Sequence, residues 1–183
     1  MRTRGGKAIE KGADAVQATS MREAILQELE QERPRTIRIL ERVPADRWEW
    51  RPHAKSSPMG ALASHVATLP FMVSNVMTSE RYEMGSGTRP PRVERAEELV
   101  PLANRLFDTA AQALRDARDE DVFVPWTFVA MGHTIMDGVP RFAALRTFYA
   151  NHLVHHRAQL GVYLRLCDVP VPGTYGPSAD EPM

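Results

Sequence analysis

The chain has 183 residues, 43% of them apolar and 25% charged, with 23 basic side chains set against 23 acidic ones. That length suits one domain with a packed core, and the balanced charge, with no strongly basic face or tail, argues against nucleic acid as a partner. A single cysteine, Cys167, excludes an internal disulfide framework and fits a reducing, cytoplasmic setting, where it is expected to act as a buried small hydrophobe.

No continuous apolar run reaches about 18 residues, so no transmembrane helix and no membrane partner are expected. Residues 1–20 lack the apolar stretch of a secretory leader and read as an N-terminal extension, flexible or a short helix, ahead of a domain spanning 21–183. A first helix is predicted over 21–43, where Met21, Ile25, Leu29, Ile37 and Leu40 recur at helical spacing behind Ser20 as N-cap. Pro34 predicts a kink or short break in it. The connection PADRWEWRPHAKSSP carries Trp48 and Trp50, expected to pack over one end of the bundle.

Ser57-Pro58 opens a second predicted helix, 58–79, with Leu62, His65, Val66, Leu69, Met72, Val73 and Val76 on one stripe and a bend at Pro70. MGSGTRPPR is a linker. A third helix is predicted over 94–119. The segment DEDVFVPWTFVAMGHTIMDGVP has strand-like composition, but Pro125 interrupts it and no second strong strand run pairs with it. It reads as an extended crossover or a short hairpin. Val139-Pro140 opens the last helix, 139–167, and a Pro- and Gly-rich tail follows. The fold class expected from these elements is all-α: a four-helix bundle with long connections and an irregular C-terminal tail.

Half of the six histidines fall in NHLVHHRAQLGVYLRL, residues 151–166. At about 100° per residue, His156 lies about 40° from His152, inside a stripe shared with Leu145, Tyr149, Gln159 and Tyr163. Two imidazoles one turn apart on one face converge as metal ligands do. His155 lies at the flank of that stripe. His65, bracketed by Leu62, Val66 and Leu69, is the third ligand expected. His133 is the reserve, while His53 sits in a wet loop context. Three neutral imidazoles with open coordination positions are the pattern of catalytic rather than structural sites. All-histidine ligation suits zinc or nickel, with iron or copper as further options. Tyr149, Gln159 and Tyr163 are candidates to orient a water or substrate behind the ligands. Arg157 points away from that face and is expected to form a salt bridge between helices. The plain alternative is a helical dimer with three hydrogen-bonded core histidines.

The stretch H-x-x-x-H-R-x-Q, followed by Y-L-R, V-P and the tail YGPSADE, resembles the closing helix of the DinB-like (DinB/YfiT) metalloenzyme superfamily. LASHVATL is similar to that family's second-helix histidine segment. The resemblance covers residues 21–183 and departs from the commoner pattern at Ala158, where Gly is frequent. It implies up-down-down-up connectivity, a homodimer, and a metal triad of His65, His152 and His156. It also implies a small-molecule substrate and a low-molecular-weight thiol cofactor, as in relatives that use mycothiol, bacillithiol or glutathione for transfer or isomerisation. Two other readings stand beside it: a metal-dependent hydrolase, and a non-enzymatic metal-binding or stress-associated interaction module. Catalytic residues beyond the ligands are not identified by the resemblance.

Overall fold

The computed structural model describes residues 19–182, so nearly all of the extension expected over 1–20 lies outside the described residues. Ser20 starts helix α1 (Met21–Leu40) with a reciprocal cap. Its hydroxyl accepts from the Glu23 N–H, and the Glu23 carboxylate accepts from the Ser20 N–H, each at 3.2 Å. The helix runs through Pro34 without the short break that proline made possible. Pro34 faces solvent, where water can satisfy the carbonyl that the proline leaves without a donor. The buried Leu29, Glu32, Thr36 and Ile39 hold the helix on both sides of it.

At Pro70 the chain does more than bend. Helix α2 (Met59–Thr68) ends there and α3 (Phe71–Thr78) begins, with Pro70 at φ −59° in the position before the first helical residue. The start of α2 is capped by backbone rather than by Ser57. The Met59 and Gly60 N–H groups donate to the carbonyls of Trp50 and Trp48, each at 2.8 Å. The Trp48 ring lies so close over Gly60 that a Cβ there would stand 2.2 Å from it, which fixes both tryptophans at this end of the molecule.

The all-α expectation is overturned by a three-stranded sheet. Strand β1 (Arg81–Met84) is followed by α4 (Ala96–Asp116), then β2 (Pro125–Ala130) and β3 (His133–Pro140). The order is β1-β2-β3, with β1 parallel to β2 and β2 antiparallel to β3. The protein is therefore a mostly helical α/β fold and not an all-α bundle. Pro125 does not forbid β2, because it occupies the strand's first position, where proline is tolerated. The hairpin closes through Met131 and Gly132, both with positive φ, 50° and 77°. Strand β1 reaches β2 by the long crossover that a parallel pair requires, here containing α4.

The last long helix comes in three parts: α5 (Arg141–Leu145), a π turn (Arg146–Ala150) and α6 (Asn151–Leu166). Helix α4 packs against α1, α2 and α3, and α2 packs against α6. Leu29, Met59, Val66, Leu99, Phe107, Leu153 and Leu160 are fully buried where these helices meet. Truncating any such leucine to alanine costs about 2–5 kcal/mol. The sheet closes one side through Tyr82, Trp126 and Phe128, which stack on one another and meet Phe71 and Phe148. No helix among the described residues is long and apolar enough to cross a membrane.

Candidate metal centre

The contact between α2 and α6 brings His65 to His152 and His156. Nε2 of His65 and Nε2 of His152 are 3.1 Å apart. Ring centroids lie 4.8 Å apart for His65–His152, 4.6 Å for His65–His156 and 4.7 Å for His152–His156. One nitrogen from each ring falls within 4.8 Å of the other two, so the trio can hold a metal ion. Three nitrogens at about 2.1 Å from one tetrahedral ion stand about 3.4 Å from one another, and the His65–His152 pair at 3.1 Å is already close to that.

Protonation favours the same use. Burial, and then the neighbouring His152 and His156, push the His65 pKa down to about 4. Burial also lowers that of His152, with His156 and His155 adding to the effect and a hydrogen bond to the Phe148 backbone opposing it. Both rings are thus neutral near pH 7, with lone pairs available. His156 is oriented from behind. Its Nδ1 stands 2.9 Å from Gln159 Oε1, and because a carbonyl oxygen only accepts, the proton sits on Nδ1 and Nε2 is left free. A hydrogen bond on the far nitrogen is how proteins fix the tautomer of a ligating imidazole.

The remaining candidates lie elsewhere. His155 is exposed beside His156 and outside the trio. His133 is exposed at the start of β3, and His53 accepts the Lys55 N–H at 3.1 Å in a loop. Tyr163 donates to the Ser57 carbonyl at 3.2 Å and meets the Trp50 ring edge-on. Tyr149 is buried on the π turn, lines a separate cavity of about 300 Å3 with Ile25 and Phe142, and its hydroxyl has no partner among the described residues. Arg157 pairs with Glu32 of α1 at 2.5 Å, in line with the interhelical salt bridge expected of it. Cys167 is half-buried, and burial raises its pKa, so its thiol is not primed to react.

The spacing of residues in the chain gave no hint of the cavity beside the trio. A space of about 520 Å3 opens from His65 and His152 and is walled by Leu69, Met72, Tyr82, Phe128 and Phe148, with Arg89 from the linker at its edge. Tyr82 belongs to β1 and Phe128 to β2, so the unexpected sheet supplies one wall. The available signal was the buried alternation Trp126, Phe128, Ala130, weakened because Val129 is buried as well.

The sequence profile of the DinB family matches residues 16–183. No curated protein matches the chain. Among solved structures it is similar to a DinB-like protein of Bacillus subtilis, with 17% identity and a TM-score of 0.65 over 87% of this chain and 99% of that one. It is also similar to a DinB-like protein of Bacillus cereus ATCC 10987, with 20% identity and a TM-score of 0.66 over 87% of this chain and all of that one, 100%. These likenesses show a shared fold. With the profile covering all but the first fifteen or so residues, the chain belongs to the DinB family.

Proposed function

We propose that this protein is a divalent-metal-dependent enzyme in which His65, His152 and His156 hold the ion, zinc or nickel foremost, and a low-molecular-weight thiol is delivered to a small electrophile. The observation that carries the reading is the convergence of three imidazoles, within 4.8 Å of one another, at the edge of an apolar cavity of about 520 Å3. When bound, a divalent ion supplies Lewis acidity and so favours ionised thiol or water at neutral pH. The chain's own residues do the rest. Gln159 fixes the tautomer of His156. Leu69, Met72, Phe128 and Phe148 exclude bulk water from the reacting end. No cysteine lines this cavity, so the thiol comes from outside the chain. The H-x-x-x-H-R-x-Q resemblance to thiol-using relatives supports that choice over a hydrolase.

The test is metal content by mass spectrometry combined with conjugation of glutathione, mycothiol or bacillithiol to 1-chloro-2,4-dinitrobenzene. The wild type is expected to bind one ion per chain and to accelerate conjugation with at least one thiol. His152→Ala and His156→Ala are expected to lose both properties while remaining folded. Stoichiometric metal persisting in both variants refutes the centre. Metal binding with hydrolysis of p-nitrophenyl acetate, but no conjugation, replaces the thiol reading with a hydrolase.

A further inference from the structure

The cavity beside the histidines is apolar apart from His65, Thr68, His152 and Arg89. Its walls are aromatic and aliphatic, with Tyr82 stacked on Phe128 at 6.1 Å and Phe128 against Phe148 at 4.6 Å. No carboxylate lines it. Arg89 is the one permanently charged side chain on the lining. Neighbouring cations in this part of the chain are neutralised locally: Arg81 by Glu83 at 3.4 Å and Arg92 by Glu94 at 3.3 Å. Arg89 has neither an ion pair nor a hydrogen bond among the described residues. It follows a turn in which Gly85 (φ +98°) and Gly87 (φ +101°) adopt a backbone conformation that side chains rarely tolerate.

We infer that the cavity takes an apolar monocarboxylic acid, with its carboxylate on Arg89 at the mouth and its hydrocarbon or aromatic body against Tyr82, Phe128 and Phe148. The far end of such a molecule then lies at His65 and His152, which makes the inference a narrowing of the proposed function and dependent on it for what reacts there. One guanidinium matches one carboxylate by a planar, charge-assisted pair of hydrogen bonds. The absence of a second cation on the lining disfavours a phosphate dianion, and the largely apolar wall disfavours a sugar. A volume of about 520 Å3 lies in the range of small-ligand sites. Specificity in this arrangement comes from a single charge at the entrance, and affinity from the apolar body.

Two probes with one body separate these contributions: 4-phenylbutyrate and the neutral 4-phenyl-1-butanol. Their binding is measured by calorimetry on protein stripped of metal with EDTA, so that no bound ion competes for the carboxylate. The acid is expected to bind about tenfold more tightly than the alcohol, the gain of one charge-assisted contact. Arg89→Gln should erase that preference and leave the alcohol's affinity unchanged, while Arg89→Lys should retain part of it. Equal binding of acid and alcohol by the wild type overturns the inference. So does a preference that survives in Arg89→Gln, or the failure of both probes to bind. Metal uptake is read separately. Arg89-dependent acid binding in a protein that takes up no metal refutes the proposed function and leaves the ligand class standing.

Discussion

His156 and Arg157 are adjacent on α6, yet they belong to two polar clusters with different bookkeeping. Arg157 is 2% exposed, and both of its terminal nitrogens are engaged. Its Nη2 reaches Glu32 Oε2 at 2.5 Å and the Tyr175 hydroxyl at 2.6 Å, and its Nη1 reaches Thr36 Oγ1 at 3.0 Å. Tyr175 donates onward to Glu32 at 2.8 Å, and Arg35 donates to the other Glu32 oxygen at 3.1 Å. On the other face His65, His152 and His156 point nitrogens at one another with no acid among them. A buried cluster whose donors and acceptors pair with one another rigidifies a fold. Convergent ring nitrogens with nothing but each other to face are suited to a guest. Both clusters are polar groups within an apolar helix stripe, and only the count of satisfied partners tells them apart.

The largest expected effect tests the saturated side. Arg157→Met leaves the Glu32 carboxylate buried without its main partner and is expected to cost about 3–5 kcal/mol in urea unfolding. The double variant Arg157→Met with Glu32→Leu should recover most of that loss, since an apolar pair of similar volume replaces a desolvated ion pair. Its metal content should equal that of the wild type. A double variant as unstable as the single one, or one that no longer takes up metal, would show that the two faces of α6 are not independent.

A smaller effect tests the open side. Gln159→Leu removes the acceptor behind His156 Nδ1 and releases the ring from its tautomer. Metal affinity measured by competition with a chelator should fall about 10–100-fold, while the unfolding free energy of the metal-free protein changes by less than about 1 kcal/mol. An unchanged affinity would mean that Gln159 caps an idle imidazole and does not position a ligand.

What could be read from the sequence follows the range of the interactions involved. His152 and His156 were legible because a pair four residues apart declares its geometry locally. His65 was legible as a histidine on an apolar stripe that a bundle would turn toward the other two, and the family motif added a second reason to link them. The sheet was illegible because β1 buries one residue of its four, Tyr82, and pairs with a strand beyond a whole helix. The π turn at Arg146–Ala150 has no compositional mark, and it shifts the phase of everything before Asn151. A wheel drawn at constant pitch therefore placed Tyr149 on the histidine face, whereas it lines another cavity. The tail read as irregular, and it is, but it is tied down. Asp180 accepts from Arg165 and the Val171 N–H, Glu181 from Arg38 and the Gly173 N–H, and Tyr175 completes the Arg157 cluster.

The smallest effect distinguishes the clusters by acid. In the metal-stripped protein His65 is held at a pKa of about 4 by burial and by the facing His152 and His156, against an unfolded value of about 6.5. Between those two pH values the unfolded chain binds a proton that the folded chain refuses, so stability rises with pH across the window and is fully present above it. His152, also lowered, acts in the same direction. Lowering the pH from 7 to 5 should therefore reduce the Tm of the wild type by a few degrees, the partial exposure of the rings keeping the effect modest. Asp180 and Glu181, held below their ordinary range chiefly by hydrogen bonds from Arg165 and Arg38, lose their contribution only at lower pH. The interval from pH 7 to 5 thus isolates the imidazoles, and His65→Asn should flatten the profile within it. Parallel profiles for the two proteins would mean that the rings share protons among themselves at no cost, which would make the trio as self-sufficient as the Arg157 cluster and remove the physical reason for it to hold an ion.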